Sequence, residues 1–299
     1  LISAVFVLFS ISTLVFLLIH LIPGDPIEVM LGETARVGDR EALRHLLGLD
    51  LPILQQWWEY LKGISQFDLG ESLHSKQAVT QLLSDRLPAT LILSAASLFV
   101  AIVIAFPLGI LAAIYKDSVW DRLAMLTAMV GVSIPNFVMG PLLILVFALW
   151  LGWVPVSGKD GMSSLILPAL TLGSALAAIL SRMIRGSMLE VIQEDYIRAA
   201  RAHGLSEFRI LGSHALRNAA LPVITILGMQ FGALLAGAVI TETIFSWQGI
   251  GQLMIDSIQK RDYPVVQGCV LLVSFIYVLV NLITDLTYTV LDPRLKLDT

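Results

Sequence analysis

The sequence predicts an all-α polytopic membrane protein with six transmembrane helices, and three observations carry that prediction. Of 299 residues, 57% are apolar and only 14% are charged, whereas a soluble domain carries about 25% charged residues. The mean hydropathy is +0.83. Six apolar stretches, 1–22, 91–115, 123–151, 166–183, 222–240 and 265–291, are each long enough to cross a bilayer, which takes about 20 helical residues for about 30 Å of hydrocarbon. So few ionisable groups cannot coat a water-facing surface, which excludes a disordered, nucleic-acid-binding or ordinary cytosolic protein. The single cysteine, Cys269, lies inside an apolar run, so neither a disulfide framework nor a Cys-based metal cluster is expected.

The first run, 1–22, contains Ser10, Ser12, Thr13 and His20. It reads as a transmembrane helix rather than a signal peptide, because no Ala-x-Ala site follows it and Pro23-Gly24-Asp25-Pro26 reads as a helix stop. Residues 23–90 read as a small folded layer outside the membrane, in which Leu54, Trp57, Trp58, Leu61 and Ile64 recur at helical spacing after Pro52. Aromatics on such a face suit a membrane interface, a docked partner or the layer's own core. Residues 91–291 form the five-helix remainder, and its stretch 123–151 is too long for one simple span. Pro135 and Pro141 predict a kinked or tilted helix there.

Basic residues set the expected orientation. With the N-terminus inside, the inner loops and the tail 292–299, counted together with Arg182 at the end of its span, hold Lys116, Arg122, Arg182, Arg185, Arg198, Arg201, Arg209, Arg217, Arg294 and Lys296. The short outer loops hold only Lys159, Lys260 and Arg261. The positive-inside rule then places both termini in the cytoplasm.

Chemistry of the chain's own is scarce. The nearest approach to a phosphate loop, Gly152 to Asp160, has one residue too many between its glycines and Asp160 where a magnesium-binding hydroxyl belongs. It reads as an exported turn. The histidines His20, His45, His74, His203 and His214 are scattered and make no zinc pair, and no metal site is expected. Gly131-Val132-Ser133 has no histidine within the spans, beyond His20 at the end of the first, to activate the serine. Asp285 is the one acid well inside a predicted span, and Asn281 lies a turn before it; the pair reads as interhelical glue before it reads as an ion path. Small residues one turn apart, Ala169, Gly173, Ala177 and Ser181, then Gly228, Gly232 and Ala236, permit close helix contact.

Charge and punctuation concentrate in the inner loop 184–221. Glu190, Glu194 and Asp195 favour a helix running through Ile197 to Ala202, which Gly204 ends. Ser206 is placed to cap a second helix from Glu207, and Pro222 marks entry to the next span. The product is helix, sharp glycine turn, helix. Ala199 and Ala200 leave its backbone approachable by another protein, the plain alternative being a solvated surface hairpin.

Arg198-Ala199-Ala200-Arg201-Ala202-His203-Gly204, followed by Ala215-Leu216-Arg217-Asn218-Ala219-Ala220-Leu221-Pro222, resembles the EAA loop of ATP-binding-cassette (ABC) importer permeases, in the form of the peptide and nickel branch. Arg198 replaces the leading Glu of the general pattern, as is usual for that branch. Further landmarks resemble the branch in order: Pro23 to Pro26, Leu47 to Asp50, Asp68-Leu69-Gly70, Leu87 to Leu91, Ile166 to Pro168, Glu242 to Trp247, Arg261 to Pro264 and Leu291 to Arg294. The resemblance implies a type I ABC-importer transmembrane domain in a bacterial inner membrane, the first of two different permeases. Its implied partners are a second homologous permease, two ATPase subunits that hold the ATP and magnesium, an extracytoplasmic binding protein and the lipid bilayer, with no nucleic acid. This chain would hold no cofactor and hydrolyse nothing. Its cargo would be di- or oligopeptides, with nickel complexes or glutathione as alternatives. A stand-alone secondary transporter is the contrasting class. By resemblance Glu194, Asp195, Tyr196, Arg198, Ala199, Ala200, Arg201, His203 and Gly204 would contact the ATPase. Phe245, Trp247, Arg261, Asp262 and Tyr263 would serve a gate or the binding protein, with Gly173, Gly228, Gly232, Asn281 and Asp285 in helix packing.

Overall fold

The structure is a computed structural model that describes residues 2–21, 27, 37–46, 48–158 and 161–291. The motif Pro23 to Pro26 and the tail 292–299, with most of the motif Leu291 to Arg294, lie outside the described residues, as does the Asp285 side chain. Among the described residues the chain is helical, and an isolated antiparallel bridge between Glu71 and Ala78 takes the place of any strand. It divides into two compact units, one of residues 1–90 and 248–278, the other of residues 91–247 and 279–299.

The first unit opens with α1 (Ile2–Leu21). Its serines donate back to the preceding turn, Ser10 to the Phe6 carbonyl and Ser12 to the Leu8 carbonyl, both at 2.8 Å, which satisfies their hydroxyls inside an apolar helix. Helix α2 (Val37–Leu46) precedes a turn at Gly48, and α3 (Ile53–Ser65) starts after Pro52 as the sequence predicts. The aromatic stripe of α3 divides. Trp57 donates to Thr13 at 3.2 Å and meets Phe9 edge-on, and Tyr60 stacks near Phe16, so this face lies on α1. Burial there raises the Tyr60 phenol well above its ordinary pKa. Leu54 and Trp58 point outward.

Helix α4 (Val79–Ile114) begins well before the predicted span start at Leu91. Its first turns form a core in the first unit, where Val79 and Leu83 pack with Ile250 of α11 (Ile250–Gln259) and with Val265 and Cys269 of α12 (Tyr263–Leu291). Thr90 accepts the Ile250 amide at 2.8 Å.

In the second unit the stretch expected as one kinked helix is instead broken. Helices α5 (Val119–Ser133) and α6 (Asn136–Leu143), the latter continued by a π-helical segment Ile144–Trp150, meet at a bend of 106°. Proline restricts the residue before it to extended backbone. Ile134 accordingly sits at φ −92°, ψ 113°, and Pro135 starts a new helix rather than bending the old one.

Helix α7 (Ser163–Ile192) is the post of this unit, with 61% of its apolar window buried, against 33% in α4 and 11% in α12. It runs nine residues past the predicted span end at Met183, to Ile192. Helix α10 (Leu216–Ile244) likewise extends the predicted 222–240 at both ends. It packs on α7 and α6.

Among the described residues three helices, α4, α7 and α12, are long and apolar enough to cross a membrane alone; five spans result if the bent pairs Val119–Ser133 with Asn136–Trp150 and Glu207–Ala220 with Pro222–Gly232 each count as one, and Val5–Leu17 of α1 is apolar but shorter. The expected six is therefore not reached by length and composition alone.

Candidate functional site

The helical hairpin between α7 and α10 forms as the residue pattern dictates. Asp195 and Glu194 stand at the positive end of α8 (Asp195–Ala202). At its other end the Gly204 amide donates to the Arg201 carbonyl at 2.9 Å and the Leu205 amide to the Ala200 carbonyl at 3.3 Å. This is the Schellman arrangement, which needs a left-handed residue at its centre, and Gly204 supplies it at φ +76°. The second arm is α9 (Glu207–Arg209), which runs through a π-helical segment Ile210–Ala215 into α10.

Ile197 and Ile210, both fully buried, root the two arms, while Glu194, Asp195, Tyr196, Arg198, Ala199, Arg201, His203 and Gly204 are exposed and Ala200 is half-buried. Eight of the nine predicted coupling residues are therefore open to solvent. Ser206 occupies the cap position, but its side chain accepts no capping hydrogen bond. The turn is tied by another route, since the Arg201 Nε donates to Glu207 at 2.7 Å and its second nitrogen to the other carboxylate oxygen at 3.3 Å. This fork lowers the Glu207 carboxyl below its ordinary pKa and raises Arg201. A lowered carboxylate contributes its tie above the ordinary glutamate range and loses it as pH falls through the lowered value. The fork is thus intact at neutral pH. Tyr196 accepts a hydrogen bond from Asn218 at 2.7 Å, fixing α8 to the start of α10.

Sequence reasoning missed Phe208, which is 91% exposed on the second arm. A bulky apolar residue between Glu207 and Arg209 was the available signal. It also missed the contact of Arg185 with Asp121, 64 positions apart, where Nε and the second guanidinium nitrogen each donate at 2.6 Å to one carboxylate oxygen. No local pattern announces such a pair.

The residues expected at a gate or a binding-protein contact do not form one exposed group. Phe245 and Trp247 are buried in the second unit, where Phe245 faces Gly140. Asp262 and Tyr263 are buried in the first, and only Arg261 of that trio is exposed. Asp262 is a staple: it accepts from the Ser72 hydroxyl at 2.5 Å and from the Leu73 amide at 3.0 Å. Arg261 and Ser246 hold left-handed backbone, at φ 54° and 50°, each ending a helix by the bonding pattern seen at Gly204. Glu242, near the end of α10, is fully buried.

Of the residues expected in packing, Gly173 and Gly232 are buried. A methyl at Gly173 would lie 2.7 Å from the Ser97 carbonyl oxygen of α4, and one at Gly228 would overlap Thr284 of α12. Asn281 is half-buried.

Long apolar helices carrying an exposed helical hairpin are the form of a transport permease, and the comparisons with known proteins agree. The chain belongs to the family of binding-protein-dependent transport system inner membrane components, which its residues 105–297 match; residues 1–94 match the N-terminal membrane component of the same systems. It is a permease component of an ABC importer, of the peptide and nickel branch. It is 43% identical over 289 residues to the glutathione transport system permease protein GsiC of Escherichia coli, covering 97% of this chain and 94% of that one. The protein of the same name from Shigella boydii is 42% identical over the same span. Among solved structures, the methionine ABC transporter MetNI in an inward-facing conformation matches 71% of this chain and 97% of its own, with a TM-score of 0.60 at 21% identity. That likeness supports the type I permease fold.

Proposed function

We propose that this permease forms half of the pathway of an ATP-driven importer of small peptides, with glutathione, itself a tripeptide, the first cargo to test. The surface formed by Glu194 to Gly204 carries the reading: a rigidly rooted, solvent-facing hairpin gives a separate ATPase something to push. Two ATPase subunits would supply the hydrolysis, a second homologous permease the other half of the pathway, and an extracytoplasmic binding protein the cargo. The apolar outer faces of α1 and α12, with Phe6, Phe9, Phe275 and Ile283 exposed, suit lipid or the second permease. The 43% identity to glutathione permeases favours that cargo among small peptides. The test is uptake of labelled glutathione by the purified four-subunit complex in liposomes with its binding protein. We expect uptake that needs ATP and every partner; uptake by this chain alone, or with ATP withheld, overturns the assignment.

On this reading both termini lie in the cytoplasm with the hairpin, and the chain crosses six times, with α1, the broken segment 119–150 and α10 among the crossings. Ser75, Ser157 and Ser206 are exposed, and the native Cys269 is buried and silent to an aqueous probe. A membrane-impermeant thiol reagent applied to sealed cells is expected to label cysteine at position 75 or 157 and to spare it at 206. Labelling at 206 reverses the orientation.

A further inference from the structure

Between the hairpin and the broken helix lies one charged contact that the transport reading does not use. Asp121 sits in the first turn of α5 and is 4% exposed. Its carboxylate receives both arms of the Arg185 guanidinium at 2.6 Å, and the Asp117 amide donates to it at 3.0 Å. A bidentate guanidinium pair fixes orientation as well as distance. Arg185 belongs to α7, the helix that ends at Ile192 and passes directly into the hairpin. Beyond the ion pair the α5–α7 seam is made of small residues: Ala124 and Ala128 are buried, and Gly131 lies against Ser174 and Ala178. A seam of small side chains lets helices lie close but offers little to stop them sliding.

We infer that the Asp121–Arg185 pair is the tie that makes α5 follow α7, so that a displacement of the hairpin carries α5 with it on the near side of the bend at Ile134-Pro135. Arg185 and Asp121 are positioning residues on this account; neither touches cargo or nucleotide. The inference rests on the proposed coupling role of the hairpin.

The experiment uses the complete importer with its binding protein in liposomes, and reads cargo transported per ATP hydrolysed, a ratio independent of how much complex assembles. Four variants are compared: Arg185→Gln, Arg185→Lys, the exchange Asp121→Arg with Arg185→Asp, and Gly204→Val. In Arg185→Gln the ratio is expected to fall at least tenfold while basal ATP hydrolysis stays within twofold. Arg185→Lys, which keeps the charge but not the fork, is expected to fall in between, and the exchange to recover most of the loss. An unchanged ratio in Arg185→Gln overturns the inference, as does an exchange no better than the single change. If no Arg185→Gln complex can be isolated, Arg185→Lys decides: a normal ratio makes the pair one of assembly only and overturns the inference, and a lowered ratio supports it. Gly204→Val separates the two readings. A lowered ratio there with a normal one in Arg185→Gln removes the tie and leaves the hairpin; a normal ratio there removes the coupling reading itself.

Discussion

Gly204→Val is expected to abolish most transport while leaving the protein in the membrane at its usual level. The Gly204 φ of +76° is a conformation that costs a residue with a Cβ about 1–2 kcal/mol, and a β-branched chain resists it further. Space is not the obstacle, since a methyl there would meet nothing within 4 Å. The substitution therefore acts on backbone preference alone. At about 1.4 kcal/mol per factor of ten, the balance shifts against the fixed relation of the arms by about five- to thirtyfold. The buried roots Ile197 and Ile210 and the spans are untouched. Quantitative blotting of membranes and uptake of labelled cargo in the same cells check this together. Gly186→Val is the control, because Gly186 lies in α7 with nothing within 4 Å and an ordinary helical φ. Normal uptake at normal abundance in Gly204→Val would reduce the turn to surface ornament.

Gly173→Val is expected to do the opposite, removing the protein rather than its coupling. A Cβ at this position would sit 2.7 Å from the Ser97 carbonyl oxygen and 3.0 Å from a Val100 methyl, so α4 and α7 must separate to admit it. Overpacking of a tight site costs about 1–3 kcal/mol, and a loss of 1–2 kcal/mol changes cellular abundance several-fold. The measurement is membrane abundance together with the unfolding temperature of the purified complex in detergent. Wild-type values for both would show that α4 and α7 are not pressed together at this point.

These two glycines were legible from sequence because each obeys a local rule. Gly204 follows a run of helix formers and precedes a cap residue, and Gly173 lies in a stripe of small residues one turn apart. The outer turns of α4, α7 and α10 were not legible, because hydropathy marks where lipid contact stops and not where the backbone stops being helical. The break at Pro135 was written in the sequence but read as a kink: the restriction that proline places on Ile134 is local, yet whether the chain bends or starts afresh depends on what α6 finds to pack against. Asp121 with Arg185 and Ser72 with Asp262 are separated by 64 and 190 residues. Partners so distant are chosen by the fold. Ser206 shows the reverse error, since the cap position was right but the tie across the turn went to Glu207 and Arg201 instead.

The broken helix also constrains how the protein is made. α5 has 15 residues, about 22 Å of helix, short of the roughly 30 Å that lipid tails occupy. The backbone groups freed at the bend have no place in hydrocarbon unless protein or water meets them. The surface that covers Ala124, Ala128 and Gly131 is on α7, which leaves the ribosome afterwards. Until the chain has been synthesised through Ile192, neither half of the broken segment has a settled home in the bilayer. Apolarity suffices to bring the broken segment to the membrane, so what waits for α7 is the bend itself, which is expected to settle only when that helix arrives to cover Gly131.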